Sequence, residues 1–241
     1  MLRTIDDARF WDRIARKYST ARIRDLVGYE RTLERTRRFV SNSDMVLEVG
    51  CGTGTTALQL ASSVSRIVGS DVSNEMITIA REKMTAQACH NAEFTVAAAE
   101  RWPGPAGTYD AVLAFNLLHL IADRSSTLAA IDRLLKPGGL FISKTPCLSE
   151  MNPLVRVAVP VMRFMGKAPF VSFFSATELE AEIARAGFTV IERDRHGAGR
   201  KDVRLFIVAR KLEAAGHLSL IRQETSRVHV GISTVTAQVP R

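Results

Sequence analysis

Val46-Leu47-Glu48-Val49-Gly50-Cys51-Gly52-Thr53-Gly54 is an apolar run that ends in a turn with three alternating glycines. Residues 45–49 read as a buried strand and residues 55–64 as the helix that follows it. Alternating glycines let a ligand approach the backbone where any Cβ would intrude, and the helix start beyond presents unpaired N–H groups. Outward from this unit the same alternation continues. Apolar strands are expected at 66–70, 92–97, 109–115 and 139–145, with helices between them at 74–87 and 123–135. Ser73 and Asn74 are cap candidates for the first of these helices, with Glu75 in its opening turn. Lys136-Pro137-Gly138-Gly139 should close the second, because proline cannot continue a helix and glycine frees the turn. A last strand pair, 187–193 and 203–210, is joined by a link too short for a parallel crossover and should form an antiparallel hairpin. Strands alternating with helices define an α/β fold.

Two basic amphipathic helices, at 6–18 and 24–40, precede this sheet. A helix near 176–186 precedes the hairpin, and residues 146–175 form an insertion rich in Pro, Val, Met and Phe. The expected division is an N-terminal helical cap over 1–40, a main domain over 41–211 with a lid insertion at 146–175, and a tail over 212–241. The tail has no clear period and should be peripheral or mobile. Of the 241 residues, 46% are hydrophobic and 24% charged, enough apolar side chain for a core. Cys51, Cys89 and Cys147 are too scattered for a disulfide framework and form no C-x-x-C pair. The start lacks the apolar run of a secretory signal, and no stretch reaches the ~18 apolar residues that span a bilayer. A cytoplasmic protein is expected. The net charge of +8 collects at the two ends: residues 1–40 hold eleven Lys/Arg against six acids, and residues 190–211 hold seven against three. Such an excess is accounted for by a solvated helix face, although an anionic partner could use it.

Two ligand classes fit the glycine turn. Gly52-Thr53-Gly54-Thr55-Thr56-Ala57 matches the G-x-G-x-x-G/A dinucleotide pattern, and Asp71 lies where a ribose-binding acid would fall. Against a dinucleotide, Glu48 would repel a pyrophosphate but could offset the amino group of a cationic methionine moiety. The final hairpin also replaces the second dinucleotide-binding half. The nine-residue stretch itself resembles motif I of the class I S-adenosylmethionine (SAM)-dependent methyltransferases. The resemblance extends over residues 10–210 and is nearest to small-molecule enzymes of the ubiquinone/menaquinone C-methyltransferase type (methyltransferase type 11). Phe10-Trp11-Asp12-Arg13-Ile14-Ala15-Arg16-Lys17-Tyr18 looks like the family's N-terminal helix, whose closing aromatic caps the SAM site. Ser70-Asp71-Val72-Ser73 looks like motif II, and Leu134-Leu135-Lys136-Pro137-Gly138-Gly139 like the turn before strand five. The resemblance implies a Rossmann-like, doubly wound seven-stranded sheet with a C-terminal antiparallel hairpin, N-terminal helices and a lid. It also implies SAM as cofactor, contacted by Glu48, Gly50, Cys51, Gly52, Thr53, Gly54, Asp71, Val72, Met76, Ala99, Glu100 and Asn116. Where many members carry an acid that reads the adenine amine, this chain has Ala98, so that contact falls to the backbone near Ala99 or to Glu100.

Methyl transfer from a sulfonium is an in-line displacement in which positive charge is lost, so holding the acceptor in line and dry supplies much of the catalysis. His119 closes the fourth strand at the carboxyl edge and is the candidate base, with Asn116 and Tyr18 as positioning residues. His196, His217 and His229 are isolated and carry no role. Cys147 follows a strand end, but the partner residues of a covalent cytosine mechanism are missing, so burial is its expected state. No cluster of acids and histidines suggests a metal site. In Asn152–Lys167, helical spacing puts Arg156, Arg163 and Lys167 on one face, and Leu154, Ala158, Val161, Met162 and Met165 on the other, with a kink at Pro160. Met162, Phe164 and Met165 are expected to wall an acceptor pocket, and the basic face could touch an anionic membrane. The expected activity is methyl transfer to a small, largely apolar acceptor. An RNA or protein methyltransferase, and a SAM-binding protein without turnover, are the alternatives.

Overall fold

The computed structural model describes residues 2–151, 154–199 and 202–213. They belong to the unit Met1–Lys211, apart from Leu212 and Glu213 at the start of a second unit, Leu212–Arg241. The tail from residue 214 onward, with His217 and His229, lies outside the described residues, as do Asn152 and Pro153. Helices α1 (Leu2–Thr20) and α2 (Leu26–Arg37) lead into β1 (Met45–Val49), α3 (Thr55–Leu60), β2 (Arg66–Asp71), α4 (Asn74–Ala86) and β3 (Ala92–Val96). Then come β4 (Tyr109–Phe115), α5 (Arg124–Leu134), β5 (Leu135–Pro146), α6 (Leu154–Phe164), α7 (Ala176–Arg185), β6 (Phe188–Asp194) and β7 (Arg204–Lys211).

The seven strands form one sheet in the order β3-β2-β1-β4-β5-β7-β6. All neighbours are parallel except β7, which runs antiparallel to both β5 and β6. The expected Rossmann-like sheet and C-terminal hairpin are therefore present, with β7 inserted between β5 and the edge strand β6. Both faces of the sheet are covered, which is why its central strands read as unbroken apolar runs. Val46, Ala111 and Leu113 point into a core layer shared with Leu33, Leu58 and Ile77. Their neighbours Leu47, Val112 and Ala114 point into the opposite layer, with Leu128, Ile131 and Leu179.

Local chemistry explains the element starts. Ser73 accepts the Met76 N–H at the head of α4, Asp25 accepts that of Gly28 in α2, and Ser175 and Glu178 form a reciprocal capping box at α7. One expectation is corrected. The strand expected at 139–145 starts at Leu135, directly after α5 stops at Leu134, and Lys136-Pro137-Gly138-Gly139 form an unpaired turn-like bulge inside it, with Gly138 at φ +73. The register against β4 shifts between Tyr109 and Ala111, and this irregularity accommodates Pro137, which has no N–H to donate to the ladder.

Helix α1 is fixed to α4 by complementary groups. Asp12 Oδ1 accepts from Ser73 Oγ (2.6 Å) and from the Glu75 N–H (3.1 Å), so a side chain of one helix caps another. Arg16 pairs with Glu82 through two hydrogen bonds of 2.6 and 2.9 Å. Trp11 and Ala15 pack on Met76 and Ile79.

Candidate functional site

A cavity of about 400 Å³ opens at the carboxyl edge of the parallel strands, where β1 and β4 separate their crossovers to opposite sides. Its floor is the turn between β1 and α3. Gly52 lies at φ +54, and a Cβ built there would meet nothing within 4 Å, so the open space beside this residue is cavity. Gly54, at φ +71, is glycine for a different reason: a Cβ would come within 2.7 Å of the Phe94 ring. Glu48, Gly50, Cys51 and Gly52 line the cavity, whereas Thr53 and Gly54 do not. The hydroxyl of Thr53 instead accepts a hydrogen bond from Lys83 Nζ at 2.8 Å.

Asp71, at the end of β2, enters the cavity with its carboxylate already oriented. Oδ2 accepts the Gly52 N–H at 3.0 Å and Oδ1 the Ser73 N–H at 2.9 Å. Burial raises its pKa, and these backbone donors oppose the rise. Glu48 is 2% exposed, and its Oε2 has no hydrogen-bond partner among the described residues. Burial, reinforced by the charge of Asp71, pushes its carboxyl up to about 8. Burial likewise raises the Cys51 thiol well above its ordinary value, which leaves it an inert lining group. Val72 and Met76 continue this wall, and Ala97 to Arg101 form the next, so Ala99 and Glu100 both reach the cavity.

Asn116 sits just past β4 at φ +52, a conformation that asparagine tolerates better than most residues, and it lines the cavity beside Leu117. Tyr18 closes the opposite side from α1. Half of the residue is exposed (51%), but crowding of the phenol and the charges of Asp71 and Glu48 raise its pKa. His119 stands outside the cavity lining. Its Nδ1 lies 3.2 Å from Thr145 Oγ1, and burial pulls the imidazole down to about 4. The ring is half-buried and neutral, and it faces Thr145 beside the cavity. Cys147 is fully buried, its thiol pushed up to about 11 by burial. His196 is also buried, with Nδ1 3.1 Å from Thr32 Oγ1 and its ring against Phe206. No metal-binding group of His, Cys, Asp or Glu occurs among the described residues.

The lid reading needs correction. Pro169 and Phe170, not Met162, Phe164 and Met165, reach the cavity. Helix α6 turns Met162 and Phe164 outward, because its half-buried edge is formed by Val155 and Val159, and Met165 is exposed in the turn that follows. Residues not singled out from the sequence complete the cavity: Arg101, Leu120, Ile121, Asp123, Ser126 and Thr127. Their only sequence signal is position after a strand end, since each becomes a neighbour of the glycine turn through the sheet alone.

The comparisons agree with this architecture. The family described as "Methyltransferase domain" matches residues 46–139. Demethylmenaquinone methyltransferase of Lactococcus lactis subsp. lactis is 30% identical over 178 residues, covering 64% of this chain and 69% of the relative. The ubiquinone/menaquinone biosynthesis C-methyltransferase UbiE of Francisella philomiragia is 33% identical over 138 residues, and the match spans 53% of this chain and 54% of that protein. A SAM-dependent methyltransferase structure from Mesorhizobium loti superposes with a TM-score of 0.65 at 17% identity, covering 76% of this chain and 98% of that one, and shows the shared fold. The chain belongs to the class I SAM-dependent methyltransferases. Its fold therefore implies a SAM site, and the cavity passes a test of fit. A buried carboxyl with one unpartnered oxygen, a backbone-oriented carboxylate and a glycine facing open space offer partners for an amino group, for ribose hydroxyls and for close backbone approach.

Proposed function

We propose that this methyltransferase acts on a small, largely apolar acceptor by in-line displacement. What supports the reading is the mixed lining of one cavity: Glu48, Gly52 and Asp71 supply polar groups at the glycine turn, and Trp11, Leu117, Leu120, Ile121, Pro169 and Phe170 supply apolar surface, with Asp123, Ser126 and Thr127 also in the lining. In this reading Asp71 accepts the ribose hydroxyls, Gly52 admits the methionine moiety, Glu48 faces its amino group, and Val72, Met76, Ala99 and Glu100 enclose the adenosine. When bound, SAM supplies a methyl group on a sulfonium whose charge disappears during transfer. The protein's part is to hold the acceptor in line and to exclude water, which Tyr18 and Asn116 do by positioning and Phe170 by cover. His119 contributes through Thr145 to the strand edge and not as a base. The two relatives are named for quinone biosynthesis, so a demethylated quinone is the acceptor class to try first.

The test is transfer of labelled methyl from SAM in the presence of lipid, quinone and RNA extracts. Label in the organic phase, with an acceptor Michaelis constant that varies little between low and moderate salt, is the expected result. Label in RNA with a log–log salt slope of about −0.7 per phosphate contact would overturn it.

A further inference from the structure

Helix α6 exposes an apolar surface that the cavity does not use. Phe164 is 93% exposed, Leu154 71% and Met165 52%, and Ala158, Val161 and Met162 lie exposed on the same arc. Large side chains presented side by side on one short helix form a contiguous patch, not scattered surface residues. Charge specifies what covers it. From Met151 to Thr177 the chain carries Arg156, Arg163 and Lys167 and no acid. The two arginines lie on the opposite side of the helix and reach the body: Arg156 donates to Ser149 Oγ at 3.0 Å and lies over Phe173, and Arg163 lies 5.0 Å from the centre of the Phe170 ring. A helix with an apolar face outward and cations on the opposite side has the composition of one that lies in the interface of an anionic membrane.

The location of α6 gives that surface a purpose. Arg163 covers Phe170, which walls the cavity, and Arg13 of α1 donates to the Gly166 carbonyl at 2.6 Å. Helix α6 therefore adjoins the cavity wall on its Arg163 side, with its apolar face turned outward beside it. We propose that α6 is a membrane-docking helix, which lays its apolar face into an anionic bilayer and draws the acceptor from that bilayer into the cavity. This deepens the apolar-acceptor reading and rests on it for the identity of the cargo, but docking can be measured without turnover.

The experiment is co-sedimentation of the full chain with vesicles of phosphatidylcholine alone or phosphatidylcholine mixed with phosphatidylglycerol. It is repeated for Phe164→Asp, for Arg156→Gln/Arg163→Gln, and with Phe164→Trp as a fluorescence reporter. Binding should be at least about tenfold tighter to the anionic vesicles and should weaken with salt. Phe164→Asp should lose binding at unchanged SAM affinity, the arginine pair should lose the preference for anionic lipid, and the Phe164→Trp emission should shift to the blue only when vesicles are added. Failure of the wild type to bind, equal binding by Phe164→Asp, or a blue-shifted reporter without vesicles would each overturn docking. A dimer that Phe164→Asp dissociates would assign the face to a second copy instead. Methyl transfer to a detergent-dispersed acceptor separates the two ideas: activity there without vesicle binding sinks docking alone, and vesicle binding without any transfer sinks the acceptor reading alone.

Discussion

The two helices that flank the cavity solve opposite problems. Helix α1 is strongly basic in sequence, yet it is tied down at three points, by Asp12 on the start of α4, by Arg16 on Glu82 and by Trp11 on Met76. Helix α6 is mostly apolar, yet it touches the body along a single edge and leaves Phe164 in solvent. Amphipathic spacing divides a helix into faces but does not say which face a neighbour will cover. What decides is the local partner: α1 finds a helix N-terminus that needs an acceptor, and α6 sets the half-buried Val155 and Val159 and the side chains of Arg156 and Arg163 against the body. The glycine turn and Asp71 form a fixed wall of the cavity, to which α1 adds Trp11 and Tyr18, whereas among the described residues α6 puts no side chain in the lining and the chain beyond it reaches the cavity only at Pro169 and Phe170.

The largest expected effect falls on the fixed wall. Gly52→Val should abolish SAM binding, because the added side chain enters the cavity. It should still fold, since its Cβ meets no atom within 4 Å and the positive φ costs about 1–2 kcal/mol. Calorimetry alongside a thermal melt checks both parts, and normal binding would dissociate the turn from the cofactor. Next is Asp71→Ala, for which loss of charged hydrogen bonds to two hydroxyls should weaken SAM by about 1.5–3 kcal/mol in the same titration.

A smaller effect is expected from pH. Burial raises the Glu48 carboxyl from 4.5 to about 8, so the folded chain without ligand binds a proton there that the unfolded chain has already released. The stability contributed by this difference is complete below 4.5 and is lost as pH rises through about 8. Denaturant unfolding of the wild type should therefore fall off over that window relative to Glu48→Gln. A cationic amino group favours the ionised carboxyl, so SAM affinity should rise with pH in the wild type and flatten in Glu48→Gln. The smallest effect sharpens the contrast from the other side. Met165→Asp, exposed in the turn after α6, should leave SAM affinity and turnover of a detergent-dispersed acceptor within about twofold, because an exposed carboxylate carries no burial penalty. Loss of turnover in that assay would return Met165 to the cavity wall.

The order of elements was legible because its signals are local: glycines at 50, 52 and 54, the Ser73 cap, and apolar runs buried on both faces. The beginning of β5 was not, because Pro137 and Gly138 have the composition of a turn, and the pairing of Leu135 with Tyr109 on the far side of that unpaired stretch has no local signal. In the site, the residues of the glycine turn and of β2 could be named from spacing, and several of them do line the cavity. Arg101, Asp123 and Phe170 could not, since they meet that turn only through the sheet and the path of the chain after α6. The contact of His119 with Thr145 is likewise one that no period of the sequence encodes.

The division of the cavity into a cofactor wall and an acceptor wall is tested most directly by a double-mutant cycle on Asp71→Ala and Phe170→Asp. SAM dissociation constants are measured by calorimetry and acceptor Michaelis constants by label transfer from dispersed substrate. Separate walls predict that Asp71→Ala moves the first quantity, that Phe170→Asp raises the second at least about tenfold while leaving the first nearly unchanged, and that the double mutant shows additive effects within about 0.5 kcal/mol. A Phe170→Asp variant that loses SAM as severely as Asp71→Ala, or a strongly non-additive double mutant, would contradict the division.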